Sequence, residues 1–192
     1  MLLEREDVNP DKPDLLSRTP LLLASWWGHK GIVRILLERD EVNPNKGARF
    51  SVTPLLGASH DGHEGVVKML LERNDVNPDK PYWRGQTPLC RASHGGHEGV
   101  VRMLLERNDV NPGKPDLFGR TPLSCASANG HARVVGMLLE RNDVNPHKPD
   151  WLRRTPLWWA SKYQHEGVVR MMLEQNDAHP YKPDRWRRVL RR

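Results

Sequence analysis

Long apolar runs are missing from this chain. No stretch approaches the roughly 20 residues that a helix needs to cross a bilayer, and the opening MLLEREDVNP carries charge by its fourth residue. Neither a membrane span nor a signal peptide is expected, and an intracellular, cytoplasmic location follows as the expectation. Cysteine is scarce: Cys90 and Cys125 are the two present, they form no CxxC pair, and a reduced, unbridged state without a metal site is expected. No phosphate loop of the form GxxxxGK[ST] occurs, and His60, His94, His147 and His179 have no Cys, Asp or Glu at a ligand or triad spacing. No catalytic, cofactor-binding or metal-binding residue is therefore assigned, and neither enzymatic activity nor a small-molecule substrate is expected.

What is present is a repeat. TPL recurs at Thr19, Thr53, Thr87, Thr121 and Thr155, and LLER recurs at Leu2, Leu36, Leu70, Leu104 and Leu138 with a variant MLEQ at Met172, each series with a period of 34. Thr-Pro-Leu predicts a helix start, because the threonine hydroxyl can accept from a free backbone N–H and proline is pre-set for the first helical position. About two turns later Gly28, Gly62, Gly96 and Gly130 precede a histidine and permit a reversal; Gln164 in the fifth copy costs turn stability there. HEGVVKMLLERN predicts a second helix with Val66, Val67, Leu70 and Leu71 on one face, Glu64 and Arg73 placed to suit its dipole and Asn74 as a left-handed cap. The following DVNPDKPD, with its two prolines, cannot stay helical and reads as a turn-rich finger.

One such unit cannot bury its apolar face alone. Stacking neighbours stabilises each buried Val or Leu by about 1.5–3 kcal/mol, so the fold expected is an all-α solenoid of helix-turn-helix units with protruding β-turn or hairpin fingers. The hydrophobic fraction of 37% and the charged fraction of 28% suit such an elongated body. The whole chain, 1–192, reads as one domain: a partial copy over 1–14, five full copies over about 15–184 and a degenerate partial copy over 185–192. Neither end is a clean polar cap, so either a longer array or fraying terminal turns is expected.

GRTPLSCASANGHARVVGMLL (119–139) resembles the ankyrin repeat, and the resemblance covers nearly the whole chain. In detail it is most similar to high-identity ankyrin arrays of fungal proteins, some attached to NACHT-type signalling ATPases. The chain departs from the family pattern in ending its second helix as ERNDVN rather than Gly-Ala-Asp-Val-Asn and in a longer finger. The slot that normally holds a core leucine in the first helix holds Leu23, Gly57, Arg91, Cys125 and Trp159. The resemblance implies a non-enzymatic protein-binding module, the Gly-His histidines serving turn geometry and hydrogen bonding.

Between copies, the four positions before TPL, the two after it and the two after Ala-Ser change nearly every time, while the framework hardly changes. By the resemblance these are the finger tips and the concave side of the first helix. The Glu-Arg of LLER and the Asp-Lys-Pro of the finger are expected to be as exposed yet are constant, which argues against drift. All seven tryptophans fall in the variable slots, counting Trp186 in the decayed copy, and Trp and Arg dominate binding hot spots. The expected partner-binding residues are Trp26, Trp27, Arg49, Phe50, His60, Asp61, Trp83, Arg84, Arg91, His94, Leu117, Phe118, Arg120, Trp151, Arg153, Arg154, Trp158, Lys162 and Tyr163. Adjacent helical residues point about 100° apart, so Trp158 is expected to face the groove and Trp159 the neighbouring copy; Trp27 and Trp159 stay open between packing and binding.

The variable slots hold Arg18, Arg49, Arg84, Arg91, Arg120, Arg153, Arg154 and Lys162 against one acid, Asp61, a net of +7, while the whole chain is +6. A basic, aromatic face favours an acidic protein partner with apolar pockets. Nucleic acid or another polyanion is the runner-up, since aromatics stack on bases and Arg meets phosphate, and the RWRRVLRR tail adds to it. A purely structural array is the third reading.

Overall fold

The computed structural model describes residues 9–178 and contains ten α-helices and no strand among them. Of the partial copy expected over 1–14, residues 1–8 lie outside the described residues, as does all of the degenerate copy expected over 185–192. Each copy contributes a first helix, α1 (Pro20–Trp26), α3 (Pro54–His60), α5 (Pro88–Gly95), α7 (Pro122–Ala128) and α9 (Pro156–Lys162), and a second helix, α2 (Lys30–Leu37), α4 (Glu64–Leu71), α6 (Glu98–Leu105), α8 (Ala132–Leu139) and α10 (Glu166–Ala178). First helices pack in a row on first helices and second helices on second helices, so the array is two layers deep.

The helix starts follow the capping chemistry of Thr-Pro-Leu. Thr19, Thr53, Thr87, Thr121 and Thr155 each accept, at 3.2 Å, from the backbone N–H three residues on, with proline as the first helical residue. The reversal after the first helix is left-handed in every copy, at Gly28, Gly62, Gly96, Gly130 and Gln164. Gln164 adopts φ 59°, and a left-handed residue with a Cβ costs about 1–2 kcal/mol, part of which glycine returns through its larger unfolded entropy. Gln164→Gly is therefore expected to stabilise the fifth copy by about 0.5–1 kcal/mol in urea unfolding.

Val66, Val67 and Leu70 are fully buried and Leu71 is half-buried, as the periodicity predicts; apart from Ile32, 47% exposed in the first copy, the equivalents of Val66, Val67 and Leu70 belong to or pack against one core running from Leu21 to Met172. Asn74 is not a left-handed cap, since its φ is not positive. The chain instead leaves α4 by two tight turns, Arg73 N–H to Leu70 O and Val76 N–H to Arg73 O, and buries Val76 as a plug. α10 lacks both devices, with Gln175 and Ala178 where other copies have Arg and Val, and runs on to 13 residues instead of eight.

Contacts between copies explain why several surface residues hardly vary. The arginine of LLER reaches back to the end of the preceding second helix, Arg73 to Leu37 O at 3.1 Å, Arg107 to Leu71 O at 2.9 Å and Arg141 to Leu105 O at 3.0 Å, while also gripping the aspartate two residues on. The finger lysine does the same, Lys80 to Asn45 O at 2.8 Å and Lys114 to Asp79 O at 2.9 Å. The framework histidines donate from Nε2 to the preceding first helix, His63 to Trp26 O, His97 to His60 O, His131 to His94 O and His165 to Ala128 O. The arginine and the lysine are thus not the plainly exposed surface expected from the sequence: half-buried, they fasten each copy to the one before, and so do the histidines. The glutamate of LLER, as at Glu72, is constant and exposed.

The serine of the framework Ala-Ser is less well served. Ser59 and Ser93 are fully buried and their hydroxyls have no hydrogen-bond partner among the described residues. An unmet buried hydroxyl costs about 1–3 kcal/mol, so Ser59→Ala and Ser93→Ala are each expected to raise stability by about 1 kcal/mol, read as a higher urea midpoint at unchanged slope.

Candidate protein-binding face

The eight variable slots of a copy do not share one environment. The first two, at the finger tip, are exposed in all five copies: Leu15 and Leu16, Arg49 and Phe50, Trp83 and Arg84, Leu117 and Phe118, Trp151 and Leu152. Leu15, Leu16 and Leu152 belong with this set although their composition had not marked them; the shared slot was the available signal. The third slot is left-handed in every finger, at Ser17, Ser51, Gly85, Gly119 and Arg153, and makes the tip turn.

The fourth slot is coupled to the residue four before it. Asp14, Asp116 and Asp150 pair with Arg18, Arg120 and Arg154. Buried Asp116 and Asp150 also accept backbone N–H groups from the tip, Phe118 and Arg120 in one finger, Leu152 and Arg154 in the other. Where the aspartate is replaced by Ala48 or Tyr82, the arginine is Val52 or Gln86. Arg120 and Arg154 therefore brace their own fingers. The Arg18 guanidinium beside Asp14 holds that carboxyl below its ordinary value. Counting the three aspartates lowers the net charge of the face from +7 to +4.

The two slots after TPL meet the neighbouring copy more than the solvent. The first is buried in four copies, as Leu22, Leu56, Cys90 and Ser124, and half-buried at Trp158; the second is buried at Gly57, Cys125 and Trp159 and half-buried at Leu23 and Arg91. Between the third and fourth copies the first slot lies against the second, Cys90 Sγ sitting 3.2 Å from Cys125 Sγ. Gly57 has room for no side chain, since an added Cβ would come within 2.9 Å of the Trp26 ring. Much of the variation here tracks the volume available between copies.

Trp159 is 8% exposed, stacks on Tyr163 with ring centres 5.9 Å apart, and lies under the Arg154 guanidinium at 4.2 Å. Trp158 is half-buried, the more open of the pair. Trp27 is 67% exposed, whereas Trp26 is half-buried and stacks on His60 at 5.9 Å. Of the remaining helix-end residues, Asp61, His94, Lys162 and Tyr163 are exposed. Partial burial, then the nearby Arg91 and Arg120, lowers the His94 pKa.

The tips form a continuous edge. Trp83 N–H donates to Phe50 O, Leu117 N–H to Arg84 O and Trp151 N–H to Phe118 O, at 2.9–3.1 Å, tying fingers two to five together. Fingers two, three and four each carry an arginine over an aromatic ring: Arg49 on Phe50, Arg84 on Trp83 and Arg120 on Phe118. Fingers one and two lack the linking bond, and a groove of about 380 Å³ opens there, lined by Leu16, Leu23, Trp26, Trp27, Arg49 and Phe50 among others. Finger two also departs locally, with Phe50 left-handed at φ 66°, an unfavourable conformation for a bulky residue.

A family profile for three consecutive ankyrin repeats matches residues 41–116 and 108–184, and the single ankyrin-repeat profile matches residues 17–48. The chain belongs to the ankyrin-repeat family. Ankyrin repeats are in general protein–protein interaction modules without catalytic function. No curated protein matches the chain as a relative. Among the described residues of this ankyrin array no helix is long and apolar enough to cross a membrane, and no three His, Cys, Asp or Glu side chains gather as a metal site.

Proposed function

We propose that this array recognises a protein partner through its finger-tip edge and the adjoining ends of the first helices. The observation that carries the reading is that the first two finger slots, which change from copy to copy, are exposed in all five copies and hold Trp, Phe, Leu and Arg. Exposed apolar side chains in a continuous row, interleaved with cations, mark a contact surface. Arg49, Arg84, Arg91, Arg153 and Lys162 have no ion-pair partner among the described residues, which favours an acidic partner with apolar pockets. On the sequence resemblance alone, the proposal extends to a sensor role within a larger, cytoplasmic signalling protein.

Capture from a cell lysate, with and without nuclease, at low and physiological salt, tests the reading. A discrete protein retained after nuclease treatment supports it. Retention of nucleic acid alone, falling steeply with salt, would transfer the face to polyanion binding.

A further inference from the structure

Two cysteines occupy the one junction where both facing slots carry sulfur. The equivalent slot pairs of successive copies read Leu22 and Gly57, Leu56 and Arg91, Cys90 and Cys125, Ser124 and Trp159, so both cysteines of the chain fall in one pair, and the two sulfurs of that pair are in contact. Cys90 is on the first turn of α5 and Cys125 on that of α7, 1% and 4% exposed, with their sulfurs 3.2 Å apart. Closure to a disulfide, about 2 Å, needs a relative movement of little more than 1 Å between helices already in contact. Cys125 also lines a cavity of about 500 Å³ between the fourth and fifth copies, beside His94, Arg120 and Trp159, which gives a small oxidant a way in.

We infer that Cys90 and Cys125 are an oxidative modification site, closed by a peroxide into a disulfide that staples the third copy to the fourth. In the first step the Cys125 sulfur takes an oxygen from hydrogen peroxide, giving a sulfenic acid and one water. Cys90 then attacks that sulfur; the S–S bond forms, the sulfenic hydroxyl leaves with the Cys90 proton as a second water, and the two thiols together have lost two electrons. Cys125 lines the cavity and Cys90 does not, so Cys125 is the sulfur oxidised first and Cys90, in contact with it, is the resolving partner. The product bridges positions 35 residues apart and ties the middle of the two-layer stack.

The test exposes the folded, reduced chain to hydrogen peroxide, blocks remaining thiols with iodoacetamide and reads the intact mass and peptide map. The expected product is monomeric, two hydrogens lighter than the reduced chain, unlabelled, and yields one cross-linked peptide pair containing Cys90 and Cys125. Its melting temperature is expected to rise by roughly 5–10 °C and to return on adding dithiothreitol. Cys125→Ser is expected to give no cross-link and no such rise. Free thiols persisting under excess peroxide, sulfinic or sulfonic acids, or dimers between chains would overturn the assignment. Equally fast closure in urea would also overturn it, because the native contact would then contribute nothing.

Discussion

Asp116→Ala is expected to cost about 3 kcal/mol of stability, among the largest losses available to a single finger substitution. The Asp116 side chain is fully buried, and its two oxygens accept four bonds: from the backbone N–H groups of Phe118 and Arg120 and from two nitrogens of the Arg120 guanidinium. Truncation removes the acceptor for two N–H groups and leaves Arg120 without its partner, the circumstance in which breaking a pair costs several kcal/mol. Asp116→Asn keeps the shape and one acceptor oxygen and should lose about half as much. Arg120→Ala should lose less still, because the backbone bonds to Asp116 survive and Arg120 is partly solvated. Urea unfolding of the three variants decides the order. A loss below about 0.5 kcal/mol for Asp116→Ala would mean that the finger turn holds without its carboxylate.

Joint replacement of Trp27, Trp83 and Trp151 by alanine is expected to weaken partner binding about 100-fold or more while leaving helical content unchanged. Their exposures are 67%, 48% and 73%, so little core is disturbed by removing them, and truncating a central interface tryptophan costs about 2 kcal/mol or more. The contrast is Trp159→Ala. That ring is 8% exposed and packed between Arg154 and Tyr163, so its removal should cost about 3 kcal/mol of stability in the fifth copy. Affinity measured beside thermal unfolding separates the two behaviours. Destabilisation by the triple replacement, with binding retained, would make the exposed tryptophans structural.

The local plan was legible because it rests on chemistry within one copy. Thr-Pro-Leu names a cap and a first helical residue, and Val66, Val67 and Leu70 name a buried face by spacing alone. What sequence spacing concealed were contacts 33 to 37 residues apart. Arg73 and Lys80 looked like solvated surface because their acceptors are backbone carbonyls of another copy, and a carbonyl has no residue identity to recognise. The tie between Asp116 and Arg120 was recoverable, since the arginine is lost in both copies that lack the aspartate; Arg18, Arg120 and Arg154 were instead counted as free charge. The slots after TPL vary for two reasons at once, packing between copies and exposure at Trp158. Trp159 is turned inward as its helical position requires, whereas Trp27, equally open to either role, points to solvent.

Hydroxyl-radical footprinting of the array, alone and with a captured partner, measures recognition by the finger-tip edge most directly. Trp27, Phe50, Trp83, Phe118 and Trp151 are all exposed aromatics and should be oxidised in the free array. In the complex they are expected to be protected together, while exposed Ile32 and Ile35 on α2 stay reactive. Protection confined to the second helices, with the tip aromatics as reactive as before, would contradict recognition by the variable face.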